Sequence, residues 1–205
     1  GRLEVVDELL LASGEFGFRA FSINDGKELW KLGGVDRWVS HKGKLITSTE
    51  RGHSLQSREI KDPSKILWTV RPEKMFSFFC SEKHIHINQK EFVTELPGIT
   101  TLNLETGETV WSYVAESIYK PKRNHSYEYF DDKFYIMTYN PYESKTQDFW
   151  MTRLDINTGK VEAEDCGPKG AEPFNMCAPV FHKAGKYLVY FFSVWVDLTN
   201  NARVF

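Results

Sequence analysis

Four ten-residue stretches of this 205-residue chain align with one another without a gap. Phe21-Ser-Ile-Asn-Asp-Gly-Lys-Glu-Leu-Trp30 lies over Leu102-Asn-Leu-Glu-Thr-Gly-Glu-Thr-Val-Trp111. Leu154-Asp-Ile-Asn-Thr-Gly-Lys-Val-Glu-Ala163 and Val196-Asp-Leu-Thr-Asn-Asn-Ala-Arg-Val-Phe205 follow the same template. Each copy opens as an alternating strand, turns at Gly26, Gly107, Gly159 or Asn201, and restarts as a second strand. Glycine takes left-handed backbone at no steric cost and asparagine substitutes for it best, so these are hairpin tips. A degenerate fifth copy places Trp68 in Ile66-Leu-Trp-Thr-Val70, after a strand over His53–Ile60 and a Lys61-Asp-Pro-Ser64 connection that lacks the glycine. The strand-ending positions Trp30, Trp68, Trp111, Ala163 and Phe205 are then separated by 38, 43, 52 and 42 residues. That period is the length of one four-stranded propeller blade. The chain is therefore expected to be all-β, a β-propeller of about five four-stranded antiparallel blades in a single domain. The blades fall near residues 1–33, 34–71, 72–115, 116–166 and 167–205. Closure into a small ring, with Leu3–Val6 beside Ala202–Phe205, would remove exposed strand edges, and an open arc of a larger propeller is the alternative.

Helical periodicity is almost absent, and period-2 alternation bounded by Gly, Asp, Asn and Pro recurs throughout. The predicted connections are of two kinds. Those joining the first strand of a blade to the second are short polar turns such as His41-Lys-Gly43, Asp131-Asp-Lys133 and Lys183-Ala-Gly-Lys186, and most third-to-fourth connections are the glycine turns. The longer ones occupy Gln89–Gly98, Glu116–His125, Asn140–Phe149 and Gly167–Met176. In an antiparallel meander these long connections leave from the same edge, and insertions gathered on one rim mark the binding face of a repeat protein.

The strand-turn-strand pattern [Leu/Val]-Asp-x-x-Thr-Gly-[Lys/Glu]-x-x-Trp, clearest at Leu102–Trp111 and Leu154–Ala163, resembles the repeat of pyrroloquinoline-quinone-type β-propellers. The resemblance implies that Trp30, Trp68 and Trp111 dock between neighbouring blades, with a different contact where Ala163 and Phe205 replace them. It implies little about activity, because the superfamily holds quinone-dependent dehydrogenases, an assembly scaffold and stress-sensor domains. The chain departs from the quinone enzymes in having about five blades instead of about eight, no adjacent cysteine pair and no legible Glu, Asn and Asp calcium cluster. No cofactor, and no quinone, is expected.

Composition excludes some partners. A formal net charge of −2 gives no field to draw the chain to nucleic acid or a membrane surface. The longest apolar run, near Tyr187 to Val196, is too short to span a bilayer. Cys80 reads as a buried small hydrophobe, while Cys166 and Cys177 bracket a loop and can pair in an oxidising compartment. The compartment itself is not legible. His84-Ile-His86 has a spacing that can ligate zinc, but no third ligand is apparent and the pair reads as a solvent-facing strand. Asp131-Asp132 reads as a turn tip. Asn124-His-Ser126 matches a glycosylation acceptor. No nucleophile-and-base or phosphate-loop motif is present. The expectation is a non-catalytic module that binds a protein partner through its long-loop rim, as scaffold, sensor or antagonist. Aromatic anchors and basic orienting groups suit such a surface, which selects Tyr119, Lys120, Lys122, Arg123, Tyr142, Phe149 and Phe174. The alternative is an enzyme or small-ligand binder with a central-channel site built from Arg37, Trp38, Tyr127 and His182.

Overall fold

The computed structural model describes residues 1–15, 17–73, 75–90, 97–114, 124–130, 132–139, 149–166, 181–184, 187–190, 194–197 and 202–203. These form twenty strands in five separate four-stranded sheets, with one short 3-10 turn at Glu50–Gly52. The first sheet contains β1 (Arg2–Val6), β2 (Leu9–Gly14), β3 (Gly17–Ser22) and β4 (Glu28–Leu32). The second contains β5 (Val35–His41), β6 (Lys44–Thr49), β7 (Ser54–Glu59) and β8 (Ile66–Val70). The third contains β9 (Met75–Cys80), β10 (His84–Lys90), β11 (Pro97–Asn103) and β12 (Thr109–Val114). The fourth contains β13 (Asn124–Phe130), β14 (Lys133–Tyr139), β15 (Phe149–Asp155) and β16 (Val161–Cys166), and the fifth contains β17 (Phe181–Ala184), β18 (Tyr187–Tyr190), β19 (Val194–Asp197) and β20 (Ala202–Arg203). Every sheet runs in sequence order, the meander that the repeat predicts. Among the described ladders β1 bonds to β2 and β20 to β19.

The turns explain the motif residue by residue. In the third sheet Asn103 Oδ1 accepts from the amides of Glu105 at 2.8 Å and Thr106 at 3.1 Å. In the fourth, Asp155 Oδ1 accepts from the Asn157 and Thr158 amides at 3.1 and 2.9 Å, and from Thr158 Oγ1 at 2.9 Å. The chain then reverses at Gly107 and Gly159, both at positive φ, whose amides bond back to Asn103 and Asp155 carbonyls at 2.9 and 2.8 Å. A short Asx side chain followed by glycine is what this turn requires.

The contacts divide the chain into two compact units, Gly1–Lys90 with Ile99–Val110, and Glu91–Gly98 with Trp111–Phe205. The first unit has two apolar clusters. One joins Leu9, Leu11, Phe18 and Ala20 of the first sheet to Trp38, Leu45 and Ile60, with Trp30 packed against it. The other joins Ile46 and Leu55 to Ile85, Ile87, Leu102 and Leu104, with Trp68 packed against it. Trp68 Nε1 donates to the Leu104 carbonyl at 3.1 Å, and its ring lies so close to Gly107 that a Cβ there would stand 2.7 Å from Trp68 Cδ2. The second unit repeats the arrangement. Trp111 Nε1 donates to the Ile156 carbonyl at 3.1 Å, and a Cβ on Gly159 would stand 2.5 Å from Trp111 Cε3.

Two penalties therefore fall on Gly107 and Gly159 and one on Gly26, which has positive φ but open space around it. Gly26→Ala should cost about 1–2 kcal/mol from backbone strain alone. Gly107→Ala and Gly159→Ala should each cost about 2–5 kcal/mol, because overpacking against the indole adds to the strain. Urea-unfolding midpoints of the three variants check this, and equal losses would show that the indole contact contributes nothing.

Candidate functional site

In the first unit, β1 and β5 share a cluster of interacting side chains. Trp38 on β5 is buried and stacks on Phe18 with ring centroids 4.7 Å apart. The Arg2 guanidinium covers its other side at 4.3 Å from the ring centroid and donates to the Trp38 carbonyl at 3.0 Å. Glu4 closes the group, accepting from Arg2 at 2.6 Å and from the Ser40 hydroxyl. Charge and hydrogen-bonding capacity are largely satisfied within the cluster, so it braces β1 against β5 and offers no free base or nucleophile. Two of the predicted channel residues have described side chains. Trp38 is packed inward, and its neighbour Arg37 is exposed. The side chains of Tyr127 and His182 lie outside the described residues.

A second polar group is buried in the third sheet. β10 alternates, with Ile85 and Ile87 on one face and His84, His86 and Asn88 on the other. His86 is fully buried, which corrects the expectation of a solvent-facing pair. Its ring stacks on Phe79, the residue opposite it on β9, at 4.8 Å. Nδ1 lies 2.9 Å from Thr101 Oγ1 and Nε2 lies 2.9 Å from Ser81 Oγ, so both ring nitrogens are engaged by hydroxyls. Burial, and secondarily the nearby His84, pushes His86 down to about 3. Burial, then Lys83, also lowers His84. Among the described residues no group of three His, Cys, Asp or Glu is placed to hold a metal. The pair is built as a structural element of the sheet. The sequence could not show this, because alternation identifies the two faces of a strand without saying which is covered.

Cys80 is free and half-buried beside the second apolar cluster, where desolvation pushes its thiol up to about 12, as suits a packing residue. Asp132 occupies a turn at positive φ and accepts from the Tyr129 hydroxyl at 3.0 Å. Cys177 and Asp131 lie outside the described residues.

Of the seven predicted rim residues, Tyr119, Lys120, Lys122, Arg123, Tyr142 and Phe174 lie outside the described residues. Phe149 opens β15, its backbone paired with Tyr139, because the β14–β15 ladder runs further than the predicted loop allowed. Asn124 likewise begins β13, opposite Tyr139, so the candidate acceptor triplet lies in a strand and not in a loop. The strand bounds leave six residues between β10 and β11, nine between β12 and β13, nine between β14 and β15, and fourteen between β16 and β17. Within each sheet these longer connections join at the edge opposite the glycine turns.

No family model and no curated protein sequence matches the chain. Solved structures do. A quinohemoprotein alcohol dehydrogenase from Pseudomonas putida HK5 is 14% identical with a TM-score of 0.65, over 99% of this chain and 41% of that one. A europium-containing methanol dehydrogenase is 12% identical with a TM-score of 0.67, over 100% and 51%. The WD40 domain of Toxoplasma gondii coronin is 12% identical with a TM-score of 0.54, over 90% and 50%. The fold is a partial β-propeller. The chain spans about half the length of these structures, and at such identities the likeness carries the propeller alone.

The protonation of His86 has a defined sign. Its folded value lies below the ordinary ~6.5 of an unfolded histidine. The unfolded chain therefore binds more protons as the pH falls from about 6.5 toward 3, and stability present above that window is lost within it. His86→Gln should remove this dependence, which amounts to at most about 1.4 kcal/mol for each pH unit. Unfolding midpoints of both proteins at pH 7 and pH 5 test it. A wild type that loses no more stability than the variant would contradict a neutral buried imidazole.

Proposed function

We propose that this propeller is a non-catalytic module that binds a protein partner through the rim formed by its longer connections. One observation carries the reading. The strand bounds put connections of six to fourteen residues at one edge of the third and fourth sheets and after the fourth, while tight turns close the other edge. Short turns at one edge and longer connections at the other are the division of labour expected of a binding repeat protein. Tyr119, Lys120, Lys122, Arg123, Tyr142 and Phe174 belong to these connections, and Phe149 borders one. Aromatic rings supply anchoring area at low entropic cost, and the basic run Lys120-Pro-Lys-Arg123 favours a partner with an acidic surface.

On β1 and β5 the polar groups Arg2, Glu4 and Ser40 bond to one another, which supports a bracing role for them. Replacing Tyr119, Arg123 and Tyr142 together by alanine should reduce partner binding by at least about a hundredfold, the loss expected from removing hot-spot anchors. The check is affinity capture from the source lysate with wild-type and triple-variant baits, both shown to be folded by circular dichroism. A partner retained equally by both baits would reject the rim as its site.

A further inference from the structure

Four equivalent positions in successive sheets can be compared directly. Ile23, Ile60, Leu104 and Ile156 each follow the third strand, and each donates its amide across to the turn preceding the second strand, to the carbonyls of Glu8, Gly43, Lys83 and Asp132. Three of the four are covered. Ile60 lies in the cluster against which Trp30 packs, Leu104 accepts from Trp68 and Ile156 accepts from Trp111. Their exposures are 2%, 1% and 1%, whereas Ile23 is 50% exposed. The glycines agree. Gly107 and Gly159 carry indole rings, while no heavy atom lies within 4 Å of the position a Gly26 Cβ would take.

The open seat continues into an open sheet face. Leu3 and Val5 of β1 point away from the second sheet and are 71% and 63% exposed. Strand register places Leu10 and Ala12, then Phe21 and Arg19, beside them on the same face. Ala12, Arg19 and Phe21 also line a shallow groove of about 510 Å³. This is the same kind of surface that the second and third sheets bury.

We propose that the uncovered face of the first sheet is a docking site for a further four-stranded blade of this repeat type, supplied from outside residues 1–205, whose outer strand carries a tryptophan that seats over Gly26 and Ile23. Its indole N–H would donate to the Ile23 carbonyl, as Trp68 and Trp111 donate to Leu104 and Ile156. The occupant is specified by the two complete seats, at Leu104 and Ile156: a flat apolar sheet, a planar ring no larger than the space above a glycine, and one hydrogen-bond donor. A second copy of this chain is a poor occupant, since Trp30, Trp68 and Trp111 already serve its own seats. The proposal concerns a different surface from the rim and does not depend on it.

The test extends the full chain at its N-terminus with a copy of its own residues 75–114, joined through two glycines as Gly33 and Gly34 join β4 to β5. Nuclear magnetic resonance reads the ring-current shift of the glycine α-protons. In the unextended chain Gly107 and Gly159 should be shifted upfield and Gly26 should not. In the extended chain Gly26 should join them, and its amide and that of Ile23 should exchange about tenfold or more slowly. Replacing the copied tryptophan by alanine, or Gly26→Val, should abolish both effects. In the unextended chain Ile23→Asp should leave the unfolding midpoint nearly unchanged, whereas Leu104→Asp should lower it sharply. An appended blade that stays unstructured or leaves Gly26 unshifted overturns the proposal. So does a Gly26 already ring-shifted, or an Ile23→Asp that unfolds the unextended chain, because the seat would then be filled from within. Self-association of the unextended chain that Ile23→Asp disperses would assign the face to a second copy and reject the blade.

Discussion

The indole seated on a turn glycine is the contact on which the packing of successive sheets turns. A sheet offers a flat face, and two flat faces slide unless something fixes their relative position. Here a tryptophan near the start of one sheet's outer strand reaches the turn of the next, bonds a single carbonyl and lies on a residue with no Cβ. Gly107 and Gly159 thus serve twice, in the left-handed turn and as the floor of the seat. Neither role alone excludes other residues as strictly: asparagine can hold the turn, and alanine can sit under a more distant ring. The second sheet shows what happens when the device is incomplete. Its turn carries Asp62 and Pro63 in place of the glycine, and Trp30 keeps its apolar contacts, edge-on to Phe18 at 5.4 Å, while its buried Nε1 has no partner among the described residues. An unmet buried donor costs about 1–3 kcal/mol, so this junction is held by burial where its neighbours are held by burial and geometry.

Polar groups inside the sheets follow the same economy of pairing. His86 gives both nitrogens to hydroxyls, Asn88 donates to Ser77 at 2.8 Å, and Arg2 is divided between the Trp38 ring, its carbonyl and Glu4. Lys133 is held between Asp155 at 3.0 Å and Glu162 at 2.5 Å, tying the turn of the fourth sheet to two of its strands. Such groups specify register and facing, since shifting a strand by one residue would strand each of them on the wrong side. That is a structural use of residues which, listed by type alone, resemble catalytic material.

Much of the fold was legible because its information is local. The Leu-Asp-x-x-Thr-Gly pattern encodes a strand, an Asx turn and a left-handed glycine in consecutive residues, and β4, β6 and β8 have the bounds that alternation predicts. What was illegible is what depends on the neighbouring strands. His84-Ile-His86 alternates like any half-exposed strand, yet one imidazole of the pair is buried, against Phe79 and between the Ser81 and Thr101 hydroxyls. Phe149 was read as a loop residue because β15 continues its ladder past the point where sequence polarity rises. Of the central-channel set, Arg37 and Trp38 are adjacent in sequence and so lie on opposite faces of β5.

The internal repeats nevertheless make one tertiary feature readable, given the structure. Phe21–Trp30 and Leu102–Trp111 are close copies, so their intrinsic preferences are nearly the same, and a difference in burial between Ile23 and Leu104 reports on what lies over them and not on the segment itself. The seats sit at the sheet edge that bears the glycine turns, while the longer connections join at the opposite edge. A ligand at the rim and a blade on the first sheet therefore occupy different parts of the sheet, and neither needs to displace the other. The two proposed properties, extension at the first face and partner recognition at the rim, are therefore separable by mutation. A propeller that grows by adding blades keeps its seats fixed by the indole and glycine geometry and leaves its rim free to vary.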